Sequence, residues 1–232
     1  MSRLLAGVAR HLGAGRHDTA LMLSLSQRDL DAAMEETGRI GAGTVRGALT
    51  PEARRRLVSA LESAAFERAP ERVGEVRQDF DLLVMKLGEG PADPALAPLL
   101  ALAEEYAALL RARAMSLDEP WLADFVPTDI HVQRYGLRSE GISPHRDSRR
   151  FIKLISIFSL GSPAEFRLCR DRRGSPLKRY QLDCGDLLLL RAPGFAGRPS
   201  ARPLHSVSGP AEEVRYSITL RMEQPAATFT AS

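Results

Sequence analysis

From Val214 to Met222 the chain alternates without a break, with Val214, Tyr216, Ile218 and Leu220 on one side and Arg215, Ser217, Thr219 and Arg221 on the other. Successive side chains of a strand point to opposite faces, so this segment has an apolar face and a polar face bearing two guanidiniums. One face must be buried against a core. The other meets either water or an internal pocket, and the period alone leaves both open. The same texture of strands and turns begins near Pro127. Ile130 and Val132 alternate with His131, Gln133 and Tyr135, and the stretch 151–160 is strongly apolar. Phe166 to Arg170 and Lys178 to Leu182 flank Asp171-Arg172-Arg173-Gly174-Ser175, a hairpin turn, and Gly185-Asp186 leads into four leucines, 187–190. Many short strands with glycine and proline turns specify a sandwich or jelly-roll barrel.

The first half reads as mostly helical. Ser26 followed by Asp29 caps a helix through about Thr37, and Thr50-Pro51-Glu52 combines a capping hydroxyl, a first-turn proline and an acid at the positive helix end. Leu57, Leu61 and Ala64 continue that second helix as an apolar stripe. Leu99, Leu102, Tyr106, Leu109 and Leu110 recur at helical spacing behind Pro98. Between them, Val76 to Lys86 reads as one strand and Gly88 to Pro94 as a loop. Hydrophobic residues at 44% and charged residues at 26% exclude a disordered chain, and 232 residues suffice for one large domain or a domain with a helical extension. The net charge of +3 permits an anionic partner without requiring one. Two cysteines, Cys169 and Cys184, argue free thiols in a reducing cytoplasm, and no apolar run approaches the roughly 20 residues of a membrane span. Arg3, Arg10 and Arg16 precede the first acid, Asp18, a weak organelle-transit signal beside the plainer reading of a surface helix or loose terminus. Trp121 reads as packing, and the arginines around the hairpin as a solvated face.

The chemistry concentrates in His145-Arg146-Asp147 and His205. Residues i and i+2 of an extended segment share a side, so His145 and Asp147 can grip one ion. With His205 from a distant strand they supply two imidazoles and a carboxylate, enough for one face of an octahedral iron(II) with the other positions open. A basic residue soon after the second histidine suits an acidic cosubstrate. His11 and His17 sit in the weakly patterned N-terminus. His131, which shares a face with Gln133 and Tyr135, is either a pocket residue or a core histidine.

In this order the segments resemble the iron(II)- and 2-oxoglutarate-dependent oxygenases, most specifically the AlkB-like branch, over about residues 127 to 222. Gln133-Arg134-Tyr135 stands where that branch has Asn-x-Tyr, followed by His145-x-Asp147, Gly185-Asp186, His205 and the closing run from Arg215 to Arg221, with Ser217 in place of an asparagine. The resemblance implies an α+β protein with a double-stranded β-helix (jelly-roll) core and N-terminal helices on its outer face. It divides the chain into an extension, helical or partly disordered, over 1–45 and an oxygenase domain over 46–225. It implies that His145, Asp147 and His205 bind Fe(II), and that 2-oxoglutarate and molecular oxygen are cosubstrates. Arg215 would meet the far carboxylate of 2-oxoglutarate, Tyr135 would add a phenolic hydrogen bond, and Gln133 and Ser217 would fill lesser polar positions. Arg221 is the weaker cosubstrate contact, because six residues of straight strand span roughly 20 Å. The reaction implied is hydroxylation of a C–H bond with conversion of 2-oxoglutarate to succinate; relatives that halogenate lack the carboxylate that Asp147 supplies. Base-repairing members place acids after the metal motif, whereas here Ser148-Arg149-Arg150 follows. That points to a small, anionic substrate, with Arg149 and His131 as candidate contacts, ahead of a nucleic acid. Oxidative demethylation of alkylated nucleobases and a non-catalytic cupin-like binding protein are the alternatives. No membrane partner is expected, the expected compartment is the cytoplasm, and oligomeric state is unspecified.

Overall fold

The computed structural model describes residues 21–88, 93–117, 120–199 and 202–224. The N-terminal arginines with His11 and His17, and most of the expected loop between Gly88 and Pro94, lie outside the described residues. Helix α1 (Gln27–Ile40) starts where the Ser26 hydroxyl accepts the Asp29 N–H. It runs past Thr37 to Gly41, whose left-handed φ of 112° lets its N–H return to the Thr37 carbonyl. Strand β1 (Ala42–Val45) follows. Gly43 lies so close beneath α1 that a Cβ there would stand 2.1 Å from the Ala33 carbonyl oxygen. Thr50 caps α2 (Pro51–Glu62) by accepting the Ala53 N–H.

Four short strands come next: β2 (Glu67–Arg68), β3 (Arg72–Val73), β4 (Val76–Asp79) and β5 (Asp81–Lys86). The single strand expected from Val76 to Lys86 is therefore two, divided at Phe80. This buried ring turns in against Tyr135, with centroids 5.5 Å apart, and the chain on either side enters different sheets. Helices α3 (Ala97–Leu117) and α4 (Pro120–Ala123) lead to the strand-rich half. It comprises β6 (Asp129–Tyr135), β7 (Gly141–His145), β8 (Phe151–Gly161), β9 (Ala164–Cys169), β10 (Pro176–Leu182), β11 (Leu187–Arg191), β12 (His205–Val207) and β13 (Arg215–Glu223).

These strands build a jelly roll of two antiparallel sheets. The larger runs β1-β11-β8-β13-β6-β5-β2 and the smaller β10-β9-β12-β7-β4-β3. Residues 42–45 of the expected extension are thus hydrogen-bonded into the larger sheet, Ala42 opposite Leu190. The helices cover that sheet's outer face: Leu57, Leu61, Leu99, Leu102 and Leu110 share a buried cluster with Ile130, Val132, Phe158, Ile218 and Leu220. A second cluster, including Ile155, Ile157, Phe166, Leu168 and Tyr180, fills part of the space between the sheets. The four leucines of β11 divide between the two, Leu187 and Leu189 outward to the helices and Leu188 and Leu190 inward. A strand covered on both faces needs no alternation, which explains that continuous apolar run. Trp121 packs on Phe195, 4.5 Å between centroids, and both cysteines are free thiols.

A buried side-chain pair links α3 to the sheet beneath it. The fully buried Tyr106 hydroxyl lies 2.8 Å from that of Ser156. Replacing Tyr106 with phenylalanine leaves the Ser156 hydroxyl without that partner and is expected to lower stability by about 1–3 kcal/mol. Urea unfolding reads this as a lower midpoint at unchanged slope, and an unaltered midpoint would deny the bond any role.

Candidate metal centre

The site begins with a register. His145 closes β7, His205 opens β12, and the two are directly opposite in the antiparallel ladder. Their rings stand 4.2 Å apart between centroids. Asp147 lies two residues beyond His145, with Oδ2 3.5 Å from His205 Nε2. One ligand atom from each of the three falls within 4.8 Å of the others. Ligands about 2.1 Å from a common ion on one octahedral face are about 3 Å apart, so this spacing suits a small divalent cation.

The protonation of the rings is set by what their other nitrogens touch. His145 Nδ1 lies 2.9 Å from the Ser143 carbonyl oxygen and His205 Nδ1 3.1 Å from that of Pro203. A carbonyl only accepts, so each Nδ1 carries the proton and each Nε2 presents its lone pair, the form that binds metals. Burial, followed by the neighbouring His145, lowers the His205 pKa to about 4, which keeps it neutral. Phe166 stacks on the His205 ring at 5.1 Å and fixes its plane. Burial alone would raise the Asp147 carboxyl, but the Arg221 guanidinium foremost holds the group below its ordinary value as a carboxylate.

The polar side of β13 forms the wall facing this cluster. Register pairing sets Arg215 opposite Tyr135 and Ser217 opposite Gln133, and Arg215, Ser217, Thr219 and Arg221 line one cavity with Gln133 and the three metal-type ligands. The polar face of the strand therefore looks inward. Arg215 is 1% exposed, and its Nε and Nη1 have no hydrogen-bond partner among the described residues. No carboxylate there stands at ion-pair distance from it; its partner is Tyr135, whose ring centroid lies 5.2 Å from the guanidinium carbon and whose hydroxyl is hydrogen-bonded to the guanidinium. Burial lowers its pKa. The Tyr135 hydroxyl, pushed up to about 12 by burial, donates to Gln133 Oε1 at 3.0 Å.

Arg221 sits elsewhere. Its Nη2 lies 3.3 Å from Asp147 Oδ1, its Nη1 3.0 Å from His131 Nδ1, and its plane lies over Phe151. Arg221 can only donate, so His131 Nδ1 accepts and its proton is on Nε2. Burial, then Arg221, lowers the His131 pKa to about 4 and keeps it neutral for this task. His131 thus holds Arg221, with Asp129 Oδ1 3.9 Å behind it. Arg149 is exposed on the loop after Asp147. Arg202, which sequence reading did not single out, donates from Nη1 to the Asp147 carbonyl at 2.8 Å. It lies in an arginine- and proline-rich connection with no periodic signal. Asp186 of the Gly185-Asp186 step is a turn anchor, accepting from Gly47 N–H and Asp183 N–H, both at 2.9 Å, and pairing with Arg46.

Comparison with solved structures yields a prolyl hydroxylase in complex with a hypoxia inducible factor oxygen degradation domain peptide fragment from Trichoplax adhaerens. It aligns with TM-score 0.52 and 14% identity over 86% of this chain and 94% of its own. The chain has the jelly-roll fold of that hydroxylase. OsALKBH1 aligns at TM-score 0.47 and 16% identity, over 78% of this chain and 98% of its own. No protein-family model and no curated protein matches the chain. Among the described residues no helix is long and apolar enough to cross a membrane.

Proposed function

We propose that the protein is an iron(II)- and 2-oxoglutarate-dependent dioxygenase that hydroxylates a C–H bond of a small, anionic substrate. The observation that carries this reading is Arg215: a buried guanidinium, without a carboxylate partner among the described residues, lining the same cavity as His145, Asp147 and His205. An uncompensated buried charge is strongly unfavourable, and a dicarboxylic acid with one end at the metal and the other in the planar fork relieves it. Bound there, iron(II) supplies the oxidising chemistry, in which 2-oxoglutarate and oxygen become succinate and carbon dioxide while substrate C–H becomes C–OH.

The chain's own groups supply position and shielding. The Ser143 and Pro203 carbonyls lock the imidazole tautomers, and Arg221 keeps Asp147 ionised and fixes its orientation. Tyr135 and Gln133 hold each other beside Arg215, and the apolar walls of Ile142, Ile157 and Phe166 exclude water. Anaerobic iron(II) plus 2-oxoglutarate is expected to give the weak visible charge-transfer band of the chelate. Its absence from well-folded protein would leave a binding module in place of an enzyme. Formaldehyde release from methylated oligonucleotides would move the substrate to nucleic acid.

A further inference from the structure

We propose that Arg146, Arg149 and Arg202 form a recognition site at the mouth of the metal centre for a terminal phosphate on the substrate. The inference takes its chemistry from the dioxygenase reading, but the anion site stands on the two loops that carry the ligands. Arg146 and Arg149 follow His145, and Arg202 precedes His205. The Arg146 guanidinium donates to the Arg202 carbonyl, and Arg202 Nη1 donates to the Asp147 carbonyl at 2.8 Å. Each loop is thereby tied to the other by an arginine, and these two bonds use only a fraction of the forks' donors.

Among the described residues no carboxylate stands at ion-pair distance from any of the three. Acids are not scarce nearby: Arg150, on the same loop, faces Glu223 at 3.5 Å, and the hairpin's Arg167 and Arg179 share Glu165. Arg146 reaches Arg202, Arg202 reaches Asp147, and Arg149 follows two residues later on the same loop, so three positive charges share the two loop ends. Like charges gathered without an acid repel, and a bound anion removes that repulsion.

The number and placement of the charges select the anion. A carboxylate is satisfied by one planar fork, as proposed for Arg215. A phosphate monoester brings about two negative charges and three acceptor oxygens, which suits several forks at one point. A nucleic-acid backbone carries its charges in a row and calls for a basic track. Arg202 donates to the backbone carbonyl of Asp147, next to the metal-type ligands, so a phosphate held here lies close to the reacting centre, which favours a small substrate.

The test is titration of the full chain, without metal, with inorganic phosphate against sodium chloride of equal ionic strength, read as calorimetric binding and as thermal shift. Saturable binding is expected, weakened at least 10-fold in R146Q/R149Q and retained in Arg215→Met. Arg149→Glu, on an exposed side chain outside both backbone ties, serves if the double variant fails to fold. No saturable binding, equal binding in Arg149→Glu, or loss in Arg215→Met alone would overturn the proposal. So would salt-steep oligonucleotide binding abolished by the same arginine changes. The iron(II)/2-oxoglutarate band is recorded on the same preparations. Phosphate binding without that band sinks the dioxygenase reading and leaves the anion site standing.

Discussion

Exchanging Arg215 for methionine is expected to stabilise the cosubstrate-free protein while crippling its hold on 2-oxoglutarate. Methionine fills much of the same volume without a charge, and replacing buried ionic groups with packed apolar ones is worth about 1–4 kcal/mol. The opposing loss is the contact with Tyr135, ring and hydroxyl together, about 0.5–2 kcal/mol, so the sign favours the variant. Removing one partner of a desolvated charge pair from the complex forfeits about 3–5 kcal/mol, or roughly 150- to 4,000-fold in affinity. Denaturant unfolding and calorimetric titration measure the two quantities on one sample. A destabilised variant that binds 2-oxoglutarate normally would expel Arg215 from the proposed pocket.

Replacing Asp147 with alanine is expected to abolish succinate production and to weaken iron(II) binding by at least about 100-fold, since even outer partners of metal ligands contribute about 10–100-fold. It also orphans Arg221, at a loss of about 3–5 kcal/mol to the metal-free fold. The two losses separate in a double variant. Asp147→Ala with Arg221→Met is expected to recover much of the stability and none of the turnover, because only the first loss comes from an unpaired charge. Iron titration and succinate assays decide the matter; near-normal turnover in Asp147→Ala would refute its place at the ion.

Much of this architecture could be read from side-chain period. The alternation in β13 and β6 specified which residues share a face, and the caps at Ser26 and Thr50 specified where two helices begin. Which face looks inward was not readable, because a polar strand face has the same period in water and in a pocket. It became decidable only with helices packed on Ile218 and Leu220. The division at Phe80 was hidden for another reason: no glycine or proline marks it, and a buried ring turning between sheets is a tertiary event. The separate duties of Arg215 and Arg221 follow from strand length, which sequence supplies, and from where Asp147 lies, which it does not. Arg202 had no signal at all, since its contact is to a backbone carbonyl 55 residues away in sequence.

The rung shared by His145 and His205 has a consequence for how the ion-binding cluster comes into being. Slipping β12 by one position against β7 would turn the second imidazole out of the barrel, so no half-registered ladder can offer both nitrogens. A cation at the proposed site is therefore a reward for correct zipping, withheld from every misaligned intermediate. A chain that brings its three metal-type ligands together only after its strands are in step cannot expose that cluster while still unfinished.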